Sequence, residues 1–364
     1  MKDISGLVRS LNVNLNWNKA RASCFIKMLV ALVTVRTVNL KELALAFNSH
    51  ASVDSRYRRI QRFFAIFLID FRQIAFWIFY LFFKPSDKCY LIIDRTNWFR
   101  GKNKINVFML SVAYEGISIP LFWKLLPTCG NSSFEEQKEL INQFINNFGK
   151  DKIEGILADR EFANGKLLKW LAKQGIFFYF RIKENTVVHI REEKFLHVCK
   201  LFRRLNPKNK SVFSMTVWIY GQKVYLAGSR SEKGELMIIA TNGKPKNAIE
   251  IYLRRWEIEN LFQSLKGRGF DFENTHISNL DRLAKLTALL AVGFSWAHKV
   301  GEWHSKIKPI IWKHFKEESR PQHSYFRYGL NFIREVLFMS VDTKGLFNQC
   351  LRPIYPISPA NLEL

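Results

Sequence analysis

The chain has 364 residues, and 56 Lys and Arg against 31 Asp and Glu give it a formal net charge of +25 at pH 7. That excess suits a protein that must rest on a polyanion, while 48 % hydrophobic residues and 32 Phe exclude a disordered basic tail and supply a large core. Two or three structural modules are expected at this length.

Residues 1 to 86 read as helical, with apolar residues at three-to-four spacing over Cys24–Val35, Leu40–Phe47 and Tyr57–Phe83. Asn39 is a natural cap before Leu40, and Ser49–Ser55 supplies a polar turn. The run that follows holds Arg56, Arg58, Arg59 and Arg62, so the segment is similar to a helix-turn-helix whose basic helix meets DNA. A solvated basic face on a packing helix fits the same pattern. The apolar stretch Phe63–Phe83 carries Asp70, Arg72 and Gln73 at its centre, which hydrocarbon would not tolerate, and its clean run Ile74–Phe83 is only about ten residues, too short to span a bilayer. Met1–Ala20 is polar and mixed, unlike a signal peptide, so a cytoplasmic protein is expected.

Beyond Lys84-Pro85-Ser86 the pattern turns to strands. Leu91–Asp94, Val107–Tyr114 and Ile117–Leu126 suit a meander, with Glu115-Gly116 as a tight turn. Asn131 to Glu136 holds two overlapping capping-box spacings, from Ser132 and Ser133, ahead of a helix to about Phe148. A strand ending at Asp159, a helix near Asn164–Gln174 and a strand over Phe177–Lys183 complete three strands, helix, strand, helix, strand. That is the order of a ribonuclease H-like α/β core, and it brings Asp94 and Asp159 together. A β-rich stretch fills residues 184–244, with strands over Val212–Tyr220, Lys223–Ser229 and Leu236–Thr241 and a turn at Gly221-Gln222.

The most informative segment is Ile251–Gly267. At about 100° per residue, Tyr252, Arg255, Glu259 and Lys266 fall within about 60° of arc on one helix face, flanked by Trp256, while Glu250 and Glu257 point away. A lone carboxylate among cations and an aromatic suits a metal ligand beside a nucleic-acid backbone, although Arg255 and Glu259 also have the spacing of an ordinary i,i+4 ion pair. Likewise, an Asp at a strand end is commonly a turn or cap residue. After Glu259, Leu280–Val300 reads as an apolar helix, and residues 306 to 364 as a basic, aromatic-rich helical region. The five Cys, at 24, 89, 129, 199 and 350, lack CxxC spacing, and the eight His form no HExxH, which leaves no support for a disulfide framework, a zinc knuckle or His-based zinc chemistry.

Asp94 in Ile-Ile-Asp-Arg-Thr-Asn-Trp, Asp159 in Ala-Asp-Arg-Glu-Phe, and Tyr252-x2-Arg255-x3-Glu259-x6-Lys266 together resemble the bacterial insertion-sequence transposases of the Asp-Asp-Glu (DDE) class, in the cut-and-paste group with a Tyr-Arg-Glu-Lys signature. The resemblance runs from about residue 85 to about residue 305. It implies a ribonuclease H-like core (87–183 and 245–305) interrupted by a β-rich insertion (184–244), with an N-terminal helical DNA-binding domain (1–86) and a C-terminal helical region (306–364). It implies Asp94, Asp159 and Glu259 as catalytic ligands of two Mg²⁺ ions, for which Mn²⁺ would substitute, with Tyr252, Arg255 and Lys266 holding phosphates. Arg160 would touch phosphate too, unless it pairs with Glu161 or another acid, and Trp256 would stack on an extruded base unless it is a core residue. Met237, on the strand before the signature helix, matches the bulky residue that fills the gap left by a flipped base; core packing is the ordinary use of such a Met.

Three crowded carboxylates repel, and a pair of divalent cations removes that penalty while activating a water or 3′-hydroxyl and stabilising the leaving oxygen. The implied partner is double-stranded DNA, namely the element's terminal inverted repeats and its target, bound by a homodimer with no membrane involvement. The rival readings are a ribonuclease H-like nuclease that cuts without joining and a catalytically silent DNA-binding repressor.

Overall fold

The computed structural model describes residues 15, 17–101, 103–127, 130–190, 195–314, 319–339 and 344–354. The chain folds into two compact units: Met1–Pro85, Trp98–Ile105 and Phe262–Leu364 form one, and Ser86–Asn97 with Asn106–Leu261 the other.

The first unit is mostly helical. Helices α1 (Lys19–Val35), α2 (Leu40–Ala46) and α3 (Val53–Ile66) are capped by Asn18, Asn39 and Ser52, whose side chains accept from backbone N–H groups of the first turn. The sequence pattern over Tyr57–Phe83 is not one helix. It breaks after Ile66, turns by about 100° and resumes as α4 (Phe71–Phe82), because Asp70 adopts extended backbone and caps the new helix by accepting from Arg72 N. The break lets Phe67 pack on Trp17 and Phe63, with ring centroids 5.0 Å apart in both pairs. No single helix among the described residues is long and apolar enough to cross a membrane, although two bent helix pairs pass that test on length and composition.

The long α9 of this unit (Leu280–Ile307) is buried on most of its circumference, and it packs against α10 (Tyr325–Phe338) and α1. Trp296 anchors α11 (Lys344–Leu351) by donating from Nε1 to the Cys350 carbonyl at 2.9 Å. The region after 306 is not wholly helical as expected, since Trp312–His314 and Ser319–Pro321 pair as a small antiparallel hairpin. Cys24, Cys89 and Cys350 are buried thiols and Cys199 is part-buried, while Cys129 lies outside the described residues.

The second unit is built on a large mixed sheet. Its first part has the order β3-β2-β1-β4-β5, formed by Ile117–Leu126, Asn103–Tyr114, Cys89–Arg100, Ile153–Ala158 and Phe178–Ile182. β1, β4 and β5 run parallel, and β3 runs antiparallel to β2. Helices α5 (Phe134–Phe148) and α6 (Gly165–Lys173) make the crossovers, so the whole is consistent with a ribonuclease H-like fold. Of the two candidate capping boxes the chain uses Ser133 with Glu136, whereas Ser132 is buried and accepts from Gln137 Nε2 at 3.1 Å. Glu115 and Gly116 both take positive φ in the β2–β3 turn, as a tight hairpin with right-handed strand twist requires.

The residues between the second Asp and the signature helix extend the same sheet. β11 (Leu236–Thr241) pairs antiparallel with β5, and β10 (Gln222–Arg230) pairs with β11. β9 (Val217–Ile219), β6 (Val187–His189) and β7 (Phe195–His197) follow, while β8 (Lys210–Val212) pairs with β10. The single strand expected over Val212–Tyr220 is two short ones, β8 and β9, interrupted at residues 213–216, and the turn falls one residue earlier than expected, at Tyr220-Gly221, both with positive φ.

Candidate active site

Within the second unit, strand register places the two Asp residues side by side. Ile93 on β1 pairs with Ala158 on β4, and each is followed by an acid, Asp94 and Asp159. β4 stops at Ala158, so Asp159 sits just past its carboxyl end, whereas β1 continues through Asp94 to Arg100. The carboxyl ends of parallel strands open toward solvent at the edge of such a sheet, where ligands are held in α/β folds.

The signature segment reaches this edge as three short pieces: α7 (Ala248–Leu253), a 3₁₀ turn (Arg254–Trp256) and α8 (Glu257–Leu265). The tightened middle turn keeps Tyr252, Arg255 and Glu259 on one side. The Tyr252 hydroxyl donates to Asp159 Oδ1 at 3.4 Å. Arg255 donates from Nη1 to Asp94 Oδ2 at 2.8 Å and from Nη2 to Glu259 Oε1 at 2.7 Å. Its guanidinium lies 5.8 Å from the Tyr252 ring centroid and 5.4 Å from that of Trp256. Arg255 is 6 % exposed, and its buried Nε has no hydrogen-bond partner among the described residues.

Burial pushes the Asp94 carboxyl up to about 6, against the lowering pull of Arg255 and of the Arg95 N–H, with Glu161 and Asp159 adding repulsion. Burial likewise raises the Tyr252 phenol to about 12, which keeps it a neutral donor. Burial alone would lower the Arg255 guanidinium, but Tyr252, Asp94 and Glu259 outweigh it and the group is held charged.

The oxygen donors of Asp94, Asp159 and Glu259 suit a hard divalent cation, and the site already draws a cation, since Arg255 bridges two of them. With the guanidinium in that place, no three His, Cys, Asp or Glu side chains among the described residues lie close enough together to hold a metal. The donor chemistry fits a hard divalent ion, while the space between Asp94 and Glu259 is taken by the Arg255 guanidinium.

The other residues singled out in the sequence lie as follows. Trp256 is 52 % exposed, which removes the core-packing alternative for it. Arg160 is exposed, and its neighbour Glu161 pairs with Arg95 instead, through two contacts of 2.6 and 2.8 Å. Met237 is half-buried on β11, opposite Ser229. Lys266 follows the last residue of α8 and belongs to the first unit, where it pairs with Glu273 at 2.8 Å and lies over the Trp98 ring at 5.3 Å. Of the N-terminal arginines, Arg56 donates to the carbonyls of Ala51, Ala44 and Leu45, and so ties α3 to α2. Arg58 is exposed; Arg59 and Arg62, with Arg21, line a cleft of about 260 Å³ floored by Cys24, Phe63 and Ile66.

Two supporting residues escaped the sequence reading. Arg95, next to Asp94, donates to Asn131 Oδ1 as well as to Glu161, so it fixes the strand at the first acid. Glu257 accepts from Tyr114 N at 2.7 Å and pairs with Arg254 at 3.2 Å, which pins the start of α8 to the β2–β3 hairpin. For Glu257 the only sequence signal was a charge facing away from the stripe, and for Arg95 only its place next to Asp94.

A family model described as a transposase DDE domain matches residues 85–292. Among solved structures, the piggyBac transposase synaptic complex with hairpin DNA is similar at a TM-score of 0.48 and 13 % identity, over 98 % of this chain and 83 % of that one. Comparison with curated protein sequences gives no match.

Proposed function

The chain belongs to the transposase DDE domain family and is thus a DDE-type phosphoryl-transfer enzyme, and we propose that it is a DNA transposase of the insertion-sequence, cut-and-paste group with the Tyr-Arg-Glu-Lys signature. In this reading it binds the terminal inverted repeats of its element, cleaves the ends and joins them to target DNA. The observation that carries the reading is that Arg255 bridges Asp94 and Glu259 while Tyr252, on the same segment, donates to Asp159, all inside the matched domain.

Enzymes of this class use divalent metal ions, and Asp94, Asp159 and Glu259 are the residues that would hold Mg²⁺ or Mn²⁺ here. Bound there, such ions supply Lewis acidity toward a phosphodiester and a potent oxygen nucleophile at neutral pH. The chain's own groups then have distinct tasks. Arg255 is a planar, permanently charged fork, matched to two oxygens of a phosphate as well as to its present carboxylates. Tyr252, 1 % exposed, stays protonated and donates to Asp159, so it orients that carboxylate. Trp256 presents half its ring outward beside Arg255, suited to an unpaired base at the cut end. Arg160, Lys266 and Met237 are proposed DNA contacts, as are Arg58, Arg59 and Arg62 in the N-terminal helices; paired-end chemistry calls for a homodimer on DNA in the bacterial cytoplasm.

The test is cleavage and strand transfer on DNA carrying the element's own ends, with Mg²⁺, comparing wild type with Glu259→Gln. End cutting and joining that vanish in the variant while binding persists are expected. Equal activity in both proteins rejects the triad, and cutting without joining moves the reading to a simple nuclease.

A further inference from the structure

The far edge of the large sheet breaks the usual rule for a solvated β face. Its inward positions are apolar and buried, as expected: Val188, Val217, Ile219 and Val224 are at most 1 % exposed. The outward positions of such a face are normally polar, yet here they include Val187, Phe195, Trp218 and Tyr225, at 52, 67, 47 and 37 % exposure.

Register makes this a row. Phe195 on β7 pairs with His189 on β6, His189 pairs with Trp218 on β9, and Trp218 pairs with Lys223 on β10. Directly paired residues share one face, so four side chains, three of them rings, stand in line across four strands. At one end the His189 and Phe195 rings already stack, 4.7 Å between centroids and 16° between planes. The other end closes on an exposed lysine, with Tyr225 two residues further along the same strand and face.

We infer that this face is a stacking platform for unpaired DNA bases, with Lys223 holding the backbone. Aromatic rings spaced across adjacent strands offer a flat apolar surface to successive bases, and any base has a π face to give. Charge selects the occupant: a row ending in Lys223 on a chain of net charge +25 favours a polyanion over an ordinary protein surface. A duplex keeps its bases stacked internally, so the platform takes single-stranded or opened DNA. Strand cleavage produces such segments, and the inference rests on the transposase reading to that extent. Trp218, Phe195 and Tyr225 act here as binding residues, separate from Asp94, Asp159 and Glu259.

The experiment is fluorescence anisotropy of a labelled oligothymidylate and of a labelled duplex of equal length, with wild type, Trp218→Ala, Trp218→Phe and Phe195→Ala, each checked for folding by circular dichroism. Trp218→Ala is expected to weaken single-strand binding about tenfold and duplex binding by less than about twofold, with Trp218→Phe close to wild type. Unchanged single-strand affinity in folded Trp218→Ala, or equal losses on both DNAs, overturns the platform while leaving the transposase reading intact. A wild-type dimer in sedimentation that Trp218→Ala dissociates also overturns it, by giving the face to a second copy. If wild type binds neither DNA, the transposase reading fails with it.

Discussion

The guanidinium of Arg255 is held by the Asp94 carboxylate at 2.8 Å and, through its other terminal nitrogen, by Glu259 at 2.7 Å, so one cation serves two of the three acids that would take a metal. Breaking a buried ion pair by removing one partner leaves an uncompensated charge, which typically costs about 3–5 kcal/mol. Here Asp94 softens that cost, because burial already lifts its carboxyl to about 6 and a proton can take the place of the arginine. Arg255→Met is therefore expected to lower metal-free stability by about 2–4 kcal/mol. The same vacated position removes the competitor for Mg²⁺ or Mn²⁺. Thermal denaturation with and without MnCl₂ should show a larger metal-induced rise in Tm for the variant than for wild type. An equal rise in both would mean that the guanidinium and the metal do not compete.

Glu257 lies two residues before Glu259 on the same helix and faces the other way, where it accepts from Tyr114 N and pairs with Arg254. Burial raises its carboxyl, and Arg254 with the N–H groups of Tyr114 and Gly116 pulls it back. Glu257→Gln keeps an acceptor for the Tyr114 N–H and should cost about 1 kcal/mol, whereas Glu257→Ala leaves that donor and Arg254 unmatched and should cost about 2–4 kcal/mol. Urea denaturation of both variants measures the difference; identical losses would show that an acceptor for the Tyr114 N–H does not by itself pin the helix.

These two residues mark what the sequence could and could not disclose. The face holding Tyr252, Arg255 and Glu259 was readable because helical periodicity is a local property, and the strands leading to Asp94 and Asp159 were readable from their apolar runs, although β1 runs on past Asp94 to Arg100 rather than ending there. That Glu257 points away from the stripe was equally plain, but its partner, Tyr114, is distant in sequence and invisible to any periodicity. The same limit applies to Arg95 with Glu161. Lys266 completes the signature spacing on paper, yet α8 ends at Leu265 and the lysine takes Glu273 as its partner, an outcome set by packing rather than by helical phase. β6 and β7 were missed because three-residue strands carry too little alternation to read, and the break at Phe67–Asp70 because Asp70 looked like a charge inside a helix when it is the cap of a new one.

In the helical unit, Glu302 on α9 lies 3.1 Å from His298 Nε2 and pairs with Lys299 through its other oxygen. Burial would raise this carboxyl, but the hydrogen bond and charge of His298, together with Lys299, outweigh it and hold it down at about 2. A carboxyl depressed on folding contributes stability that is complete above its ordinary value near 4.5 and is lost as pH falls through about 2. The full difference is worth up to about 3 kcal/mol. Acid titrations of folding for wild type and Glu302→Gln should therefore converge between pH 4.5 and 2, with wild type the more stable at the upper end. Parallel curves would show that the carboxylate is not linked to folding.

The crossing of α9 and α10 depends on two glycines. A Cβ built on Gly329 would fall inside the Ala297 carbonyl oxygen and within 2.9 Å of the Gly301 α-carbon, and one on Gly301 would collide with the Tyr325 carbonyl. Both atoms struck are backbone, so no side-chain rotation relieves the overlap. Two effects compete in Gly329→Ala. Alanine gains about 1 kcal/mol in helix propensity, whereas separating two packed helices to admit a methyl costs about 3 kcal/mol or more. The clash wins, and a net loss of about 2 kcal/mol or more is expected in denaturant titration, with Gly301→Ala behaving alike. Because the two positions meet at one contact, the double variant should lose less than the sum of the singles, since helices already pushed apart by one methyl admit the second more easily. A stabilised Gly329→Ala would mean that the helices do not approach this closely in solution.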